Sequence, residues 1–265
     1  MGEPNGYQQA YALLIVWCLT FARIVLIMVQ APIWGSKHFN TQIRIGTAVA
    51  MTCCVFPTVP VPENIYEVME ARTFFGALLT QVGVGLAIGF ISFMVLAAAQ
   101  FGGEMLDIQL GLSVAASADP SSHGAINLIR RLHFYLAMQL YLLLDGHHKM
   151  VIAIWESFQV VPVTHFQMPG NIVEGFVSAA GDVFSIGIQI AAPALAALFI
   201  GQIALGLLAR VAPQMNVFML SFPMNIGIGL SLLTVGLPYV CQLLTQQFAV
   251  NQDQIMQTIR LMAPD

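Results

Sequence analysis

Glu104, Asp107 and Gly111, in the stretch GEMLDIQLGLSVAASADPSSHG (residues 103–124), stand at i, i+3 and i+7, a spacing that puts all three on one face of a helix. Two carboxylates so placed can hold a metal ion, trade a proton, or answer a cation. A metal would want a histidine in the same register, and none is there; His123 follows only after Pro120. Acid–base catalysis would want a second converging group, which the neighbouring residues do not supply. Pairing with Arg130 or Arg131, a little downstream, is the reading these residue types favour.

The remaining polar candidates are few. His147 and His148 in LDGHHKM have the look of a metal pair, but neighbours on a helix point ~100° apart, so a solvated turn at a helix end is the expectation. Asp182 lies in the middle of an apolar run, where a charge is costly and is usually functional or paired. Arg23, also inside an apolar run, is a candidate partner in a packed interior, and a proton relay through Asp182 is the sharper alternative. Cys18, Cys53, Cys54 and Cys241 lie in apolar segments without CxxC or zinc spacing and read as small hydrophobes. No nucleophile with a converging base is found. The expectation is therefore a chain with no catalytic, cofactor-binding or metal residues, not an enzyme.

The elements that must position these groups are greasy. The chain is 58% hydrophobic and 8% charged, against ~45–50% apolar and ~25% charged in a soluble domain. Nine Lys plus Arg and a net charge of −4 leave no basic patch for nucleic acid. Apolar blocks follow one another without a polar or Pro/Ser-rich linker, so a single unit is expected. The first 30 residues carry no basic n-region, and their apolar run is too long for a signal peptide; they read as a retained first helix.

Apolar segments fall at about 11–34, 45–61, 73–101, 132–144, 150–163, 176–209 and 215–245. A bilayer core needs ~20 helical residues, and these lengths fit simple spanning badly. Segments 132–144 and 150–163 are short, while Val211 to Val250 holds no charged residue and is about twice too long for one crossing. Pro193, Pro223 and Pro238 are expected to break or kink the long runs, because proline deletes a helical donor. If all seven segments crossed, Arg72, Lys149 and Arg210 would face Lys37, Arg44, Arg130, Arg131 and Arg260, a weak positive-inside asymmetry. Gly85 and Gly89 form a GxxxG pair with Gly83 nearby, and Gly227, Gly229 and Gly236 repeat the theme; bare backbone of this kind lets helices approach closely. The fold class expected is an all-α membrane-associated protein of broken helices and hairpins packed in a larger helical assembly.

SADPSSHG reads as a turn-forming loop, since the residue before proline leaves the helical region and Ser, Asp and Gly favour turns. Gly111, Ser113, Ala115, Ala116 and Ser117 are small, and Asp119-Pro120 forbids a continuing helix. A polar helix end that runs into such a loop suits a constriction or plug better than an active site.

Three blocks in one order carry a family resemblance. GEMLDIQLGLSVAASADPSSH, LLLDGHHKMVIAIWESFQVVPV and ALGLLARVAPQMNVFMLSFPMNI are similar to segments of the R subunit of the flagellar type III export gate, the FliR/SctT family, from the first helix to about Gln247. The resemblance implies a core subunit in the bacterial inner membrane, at the flagellar basal body, assembled with P and Q subunits into a closed channel for unfolded flagellar proteins. Other export-apparatus membrane proteins and membrane lipid would be further partners. It also implies a P-like half over residues 1–165 and a Q-like helical hairpin over 166–265. By the same resemblance, Gly111, Leu112, Ser113, Val114, Ala115, Ala116, Asp119 and Pro120 belong to the pore plug. Glu104, Asp107, Arg130 and Arg131 are expected to anchor the ends of that loop, and Gly85, Gly89, Arg210, Pro213 and Gln214 to be packing residues of the subunit. A virulence export gate shares these motifs, and a secondary transporter built around Asp182 and Pro193 is a third reading.

Overall fold

The computed structural model describes residues 6–35, 40–60, 71–112, 127–163 and 172–263. Among them every regular element is helical. In order these are α1 (Gly6–Gln30), α2 (Thr41–Val55) with a 3-10 turn at Phe56–Thr58, α3 (Ala71–Gln109), α4 (Leu128–Leu143), α5 (Gly146–Val160), α6 (Ile172–Val211) and α7 (Val217–Leu261). Four described spans are long and apolar enough to cross a membrane: Gly6–Gln30, Thr73–Gln109, Gly175–Val211 and Met219–Leu261. The last three, at 37, 37 and 43 residues, run to well over 50 Å at ~1.5 Å per residue, against a ~30 Å hydrocarbon core.

Of the break or kink expected at each proline, a break does not occur. α6 continues through Pro193, and α7 through both Pro223 and Pro238. Each proline removes one N–H from the ladder, whereas interrupting the helix in a dry environment would strand several backbone groups at once, each costing several kcal/mol. Continuing the helix is therefore the smaller loss.

The chain divides into two compact units, one of residues 1–93, 145–179 and 249–265, the other of 94–144 and 180–248. α3, α6 and α7 each contribute to both. In the first unit, the glycines of the GxxxG pair lie against α1. A Cβ at Gly85 would stand 2.8 Å from the Arg23 carbonyl oxygen and 3.1 Å from Leu26 Cβ, and one at Gly89 would stand 3.0 Å from Gln30 Cβ. The glycine face is thus used inside the chain. The last turns of α7 are fixed to α3 by buried Asn251, whose Nδ2 donates to the Ile91 carbonyl at 2.7 Å.

The second unit has its own core of Leu106, Leu110, Ile129, Ala191, Ala194 and Leu198. α3 and α6 meet there backbone to backbone: a Cβ at Gly102 would lie 2.7 Å from the Gly187 carbonyl oxygen. Of the glycines on α7, Gly229 alone meets a neighbour among those described, with Leu110 filling the space a Cβ would need, while Gly227 and Gly236 face open space.

One expectation follows from the first unit. Gly85→Leu drives a side chain into the α1 backbone, which can retreat only by moving the whole helix. Overpacking of this kind costs typically ~1–3 kcal/mol, so the variant should insert but yield a reduced fraction of folded protein and of assembled complex. Equal recovery of wild type and Gly85→Leu on size-exclusion chromatography in detergent would show that α1 and α3 do not pack this closely.

Candidate functional site

The polar end of α3 is built around a buried carboxylate. Asp107 is fully buried, and its oxygens accept from two backbone N–H groups at the start of α4, Oδ1 from Ile129 at 3.0 Å and Oδ2 from Arg130 at 2.9 Å. The first N–H groups of a helix have no intrahelical acceptor. Asn127, at the capping position of α4, makes no side-chain cap hydrogen bond, so Asp107 acts as the cap from another helix. A carboxylate on the positive end of the helix dipole is favoured twice over, by charge and by charge-assisted hydrogen bonds.

Glycine makes the approach possible. A Cβ at Gly103 would lie 2.6 Å from Arg130 Cα, so any side chain there would push α3 away from the α4 terminus. Glu104 and Arg130 form an ion pair at 3.8 Å with both side chains well exposed, which makes it worth little; Arg130 also donates to Gln100 Oε1 at 3.3 Å. Arg131 is exposed. The two carboxylates thus do different jobs, Asp107 holding backbone and Glu104 pairing at the surface. One turn along α4, buried His133 has Nδ1 2.9 Å from the Ile129 carbonyl; a carbonyl only accepts, so Nδ1 carries the proton. Burial pushes its pKa down, against the smaller opposing pull of that hydrogen bond and of Asp107.

α3 ends in a left-handed glycine. Gly111 has φ +77°, and its N–H bonds back to the Ile108 carbonyl at 3.0 Å, the conformation that glycine adopts without a Cβ penalty at helix ends. The ring of Phe222 on α7 stands where a Cβ would meet it at 3.2 Å. Leu112 packs on the core of the second unit. Ser113, Val114, Ala115, Ala116, Asp119 and Pro120 lie outside the described residues. The segment 113–126 therefore leaves from Leu112 and returns at Asn127, and Asp107 ties its two flanks together.

The remaining anchors lie elsewhere. Arg210 is exposed in the last turn of α6, where a cation suits the helix dipole. Pro213 and Gln214 are exposed in the turn to α7, which Asn216 caps by accepting from the Met219 N–H at 3.3 Å. Asn225 on α7 is buried, and its Oδ1 accepts no hydrogen bond among the described residues.

A second buried charge stands in the first unit. Arg23 of α1 is wholly buried. Its Nε donates to Gln81 Oε1 at 2.7 Å, Nη1 to the Ser157 carbonyl at 2.7 Å, and Nη2 to the Val161 carbonyl at 2.9 Å. The guanidinium also sits 4.3 Å from the centre of the Phe158 ring, within cation–π range. Gln81 passes the chain on, its Nε2 donating to the Val163 carbonyl at 3.0 Å. These acceptors are neutral, and they gather at the C-terminal end of α5, where unsatisfied carbonyls and the negative end of the helix dipole favour a cation. Among the described residues, Arg23 is spent on this helix end and not on a carboxylate. Each unit thus contains one buried charge that caps a helix from outside it. The sequence shows both charges, but their partners lie 22 to 138 residues away and no local pattern announces them.

An expected result at the α4 terminus follows. Asp107→Ala strips two N–H groups of their acceptors in a buried site. Loss of a cap costs ~0.5–2 kcal/mol and each buried unsatisfied donor ~1–3 kcal/mol, so a fall in melting temperature of several degrees is expected, with Asp107→Asn intermediate. Glu104→Ala should change little. Identical thermal unfolding of Asp107→Ala and wild type in detergent would remove the capping role.

Residues 14–250 match the family described as bacterial export proteins, family 1. The chain belongs to that family. It is 28% identical over 220 residues to the flagellar biosynthetic protein FliR of Escherichia coli K12, covering 82% of each chain. Against the FliR of Bacillus subtilis 168 identity is 29% over 247 residues, with 92% of this chain and 94% of the relative covered. For the Caulobacter vibrioides FliR the figures are 26% over 249 residues, 92% and 96%. The chain is a FliR-family subunit of the flagellar export apparatus, and its four membrane-length helices accord with a place in the inner membrane at the basal body.

Proposed function

We propose that this subunit forms, with P and Q subunits of the apparatus, the closed channel through which unfolded flagellar proteins leave the cell, and that residues 110–122 close that channel at rest. The observation that carries the reading is the junction at Asp107. It holds the end of α3 to the start of α4, so the intervening segment begins and ends at one fixed point. That segment is rich in small residues and turn formers, which fill a constriction through many weak contacts and yield to a passing chain. Gly111 and Leu112 form its described edge; Ser113, Val114, Ala115, Ala116, Asp119 and Pro120 would supply its middle.

Partners are needed on physical grounds as well. Two-thirds of the most apolar stretch of α3 is buried within the chain, but only 17% of that of α7. Large side chains such as Val211, Met219 and Val235 are almost bare. Lipid gives little hydrophobic drive between helices, so close contacts with neighbours must set their arrangement. We assign these faces to P and Q subunits and to lipid, with residues 1–165 as the P-like half and 166–265 as the Q-like hairpin. No cofactor or metal takes part in this reading.

The test is co-purification. Expressed with tagged P and Q homologues of the same apparatus, the chain should elute in one stable particle; expressed alone, it should aggregate or be degraded. A folded monomer recovered in good yield without partners, and not retained by them, would overturn the proposal. Uptake of a small solute by that monomer would point to a secondary transporter instead.

A further inference from the structure

The structure assigns a binding site for a divalent transition-metal ion of the zinc class to Asp145, His147 and His148 at the first turn of α5. The pair of histidines is adjacent in sequence, which on a regular helix sends the two side chains ~100° apart. Here the rings nevertheless lie together, their centroids 4.1 Å apart and their planes 36° from parallel. Gly146 opens the helix, and Asp145 before it is turned into the left-handed region at φ 54°, so its carboxylate comes back over the two imidazoles. His148 Nδ1 stands 3.3 Å from Asp145 Oδ1, and one donor atom from each of the three residues lies within 4.8 Å of the others.

A tetrahedral ion with bonds of ~2.0–2.2 Å holds its donors about 3.4 Å apart. The Asp145–His148 pair already has that spacing, and both of these side chains are exposed and free to close the remainder. His147 is the least exposed of the three, and its Nδ1 is buried without a hydrogen-bond partner among the described residues. The lone pair of an imidazole nitrogen so placed is available to a metal ion. Two imidazoles and one carboxylate select zinc, nickel or copper over magnesium or calcium, which take oxygen donors. Asp145 has a further role, since the N-terminal end of a helix repels a cation and its charge offsets that repulsion. Lys149, next along, sends its ammonium to Gln252 Oε1 at 2.6 Å. Three protein donors leave a fourth position for water or for a donor from another chain.

The experiment is a Zn2+ titration of the full chain in detergent, purified with the apparatus proteins it carries, in competition with a chromophoric chelator. One Zn2+ per chain is expected, unaffected by a large excess of Mg2+. His147→Ala and His148→Ala should each weaken binding by about tenfold or more, beyond the 10–100-fold range's lower edge seen even for groups that only support a ligand, and Asp145→Asn severalfold. Because a variant can misfold, a second measurement uses the unaltered protein: Zn2+ should slow acylation of His148 by diethylpyrocarbonate, read by mass spectrometry, while Mg2+ should not. Zn2+ bound with equal affinity and stoichiometry by wild type and by the His147→Ala/His148→Ala double variant would overturn the assignment. So would wild type that binds no Zn2+ and whose His148 it leaves unshielded.

Discussion

Arg23→Met should leave almost no folded protein in the membrane. The substitution keeps bulk and removes a charge, a change that is often neutral when the partners leave as well. Here the partners stay. Gln81 Oε1 and the carbonyls of Ser157 and Val161 lose their donors in a site where the arginine itself is fully buried, and each unsatisfied buried group costs ~1–3 kcal/mol. A loss of ~3–5 kcal/mol is a large part of the ~5–15 kcal/mol that keeps a domain folded. Arg23→Lys keeps the charge but not the planar fork; one ammonium cannot point at Gln81 and the Ser157 and Val161 carbonyls in the same geometry, so it should fall between wild type and Arg23→Met. Membrane accumulation and thermal stability by fluorescence-detected size exclusion report the series. Arg23→Met at wild-type level and melting temperature would show that the end of α5 does not depend on this donor.

The fold class was readable because its causes are compositional. Low charge, long apolar runs and bare glycines all state that these helices live in lipid and pack closely, and Gly85 and Gly89 do lie where two backbones meet. What could not be read depends on distance along the chain. Gly102 and Gly187 form an equally tight crossing, yet neither stands in a repeating pattern that singles it out. Asp107 and Arg23 are visible as charges in apolar company, but carboxylate–arginine pairing was the natural guess, and both instead serve backbone groups at helix ends. Backbone acceptors and donors have no residue type, so a sequence cannot display them. That the prolines do not break their helices was hidden for a related reason: one lost hydrogen bond at Pro193, Pro223 or Pro238 is legible, while the greater loss that a broken helix would incur in lipid is not. His147 and His148, read as a solvated turn at a helix end, do stand in the first turn of α5 with His148 exposed.

Deletion of residues 114–118 should open the channel while leaving the subunit assembled. Nine residues would remain between Leu112 and Asn127, with an extended reach of ~30 Å, and the two ends they join are held at one junction by Asp107. The shortened segment therefore closes without pulling on α3 or α4, and the cores of both units are untouched. What is lost is the run Val114 to Ala118, which the proposed function assigns to the opening. Control variants sharpen the inference: Glu104→Ala should stay tight, and Asp107→Ala, which frees one flank, should leak in proportion to its loss of stability. The decisive measurement is the ion permeability of cells, or of proteoliposomes carrying the assembled P, Q and R subunits, with and without this deletion. The account predicts a complex recovered in normal amount whose membranes pass small ions and solutes severalfold faster than wild type. A deletion complex that assembles fully and remains as ion-tight as wild type would contradict it, and residues 110–122 would then be a packing loop between subunits.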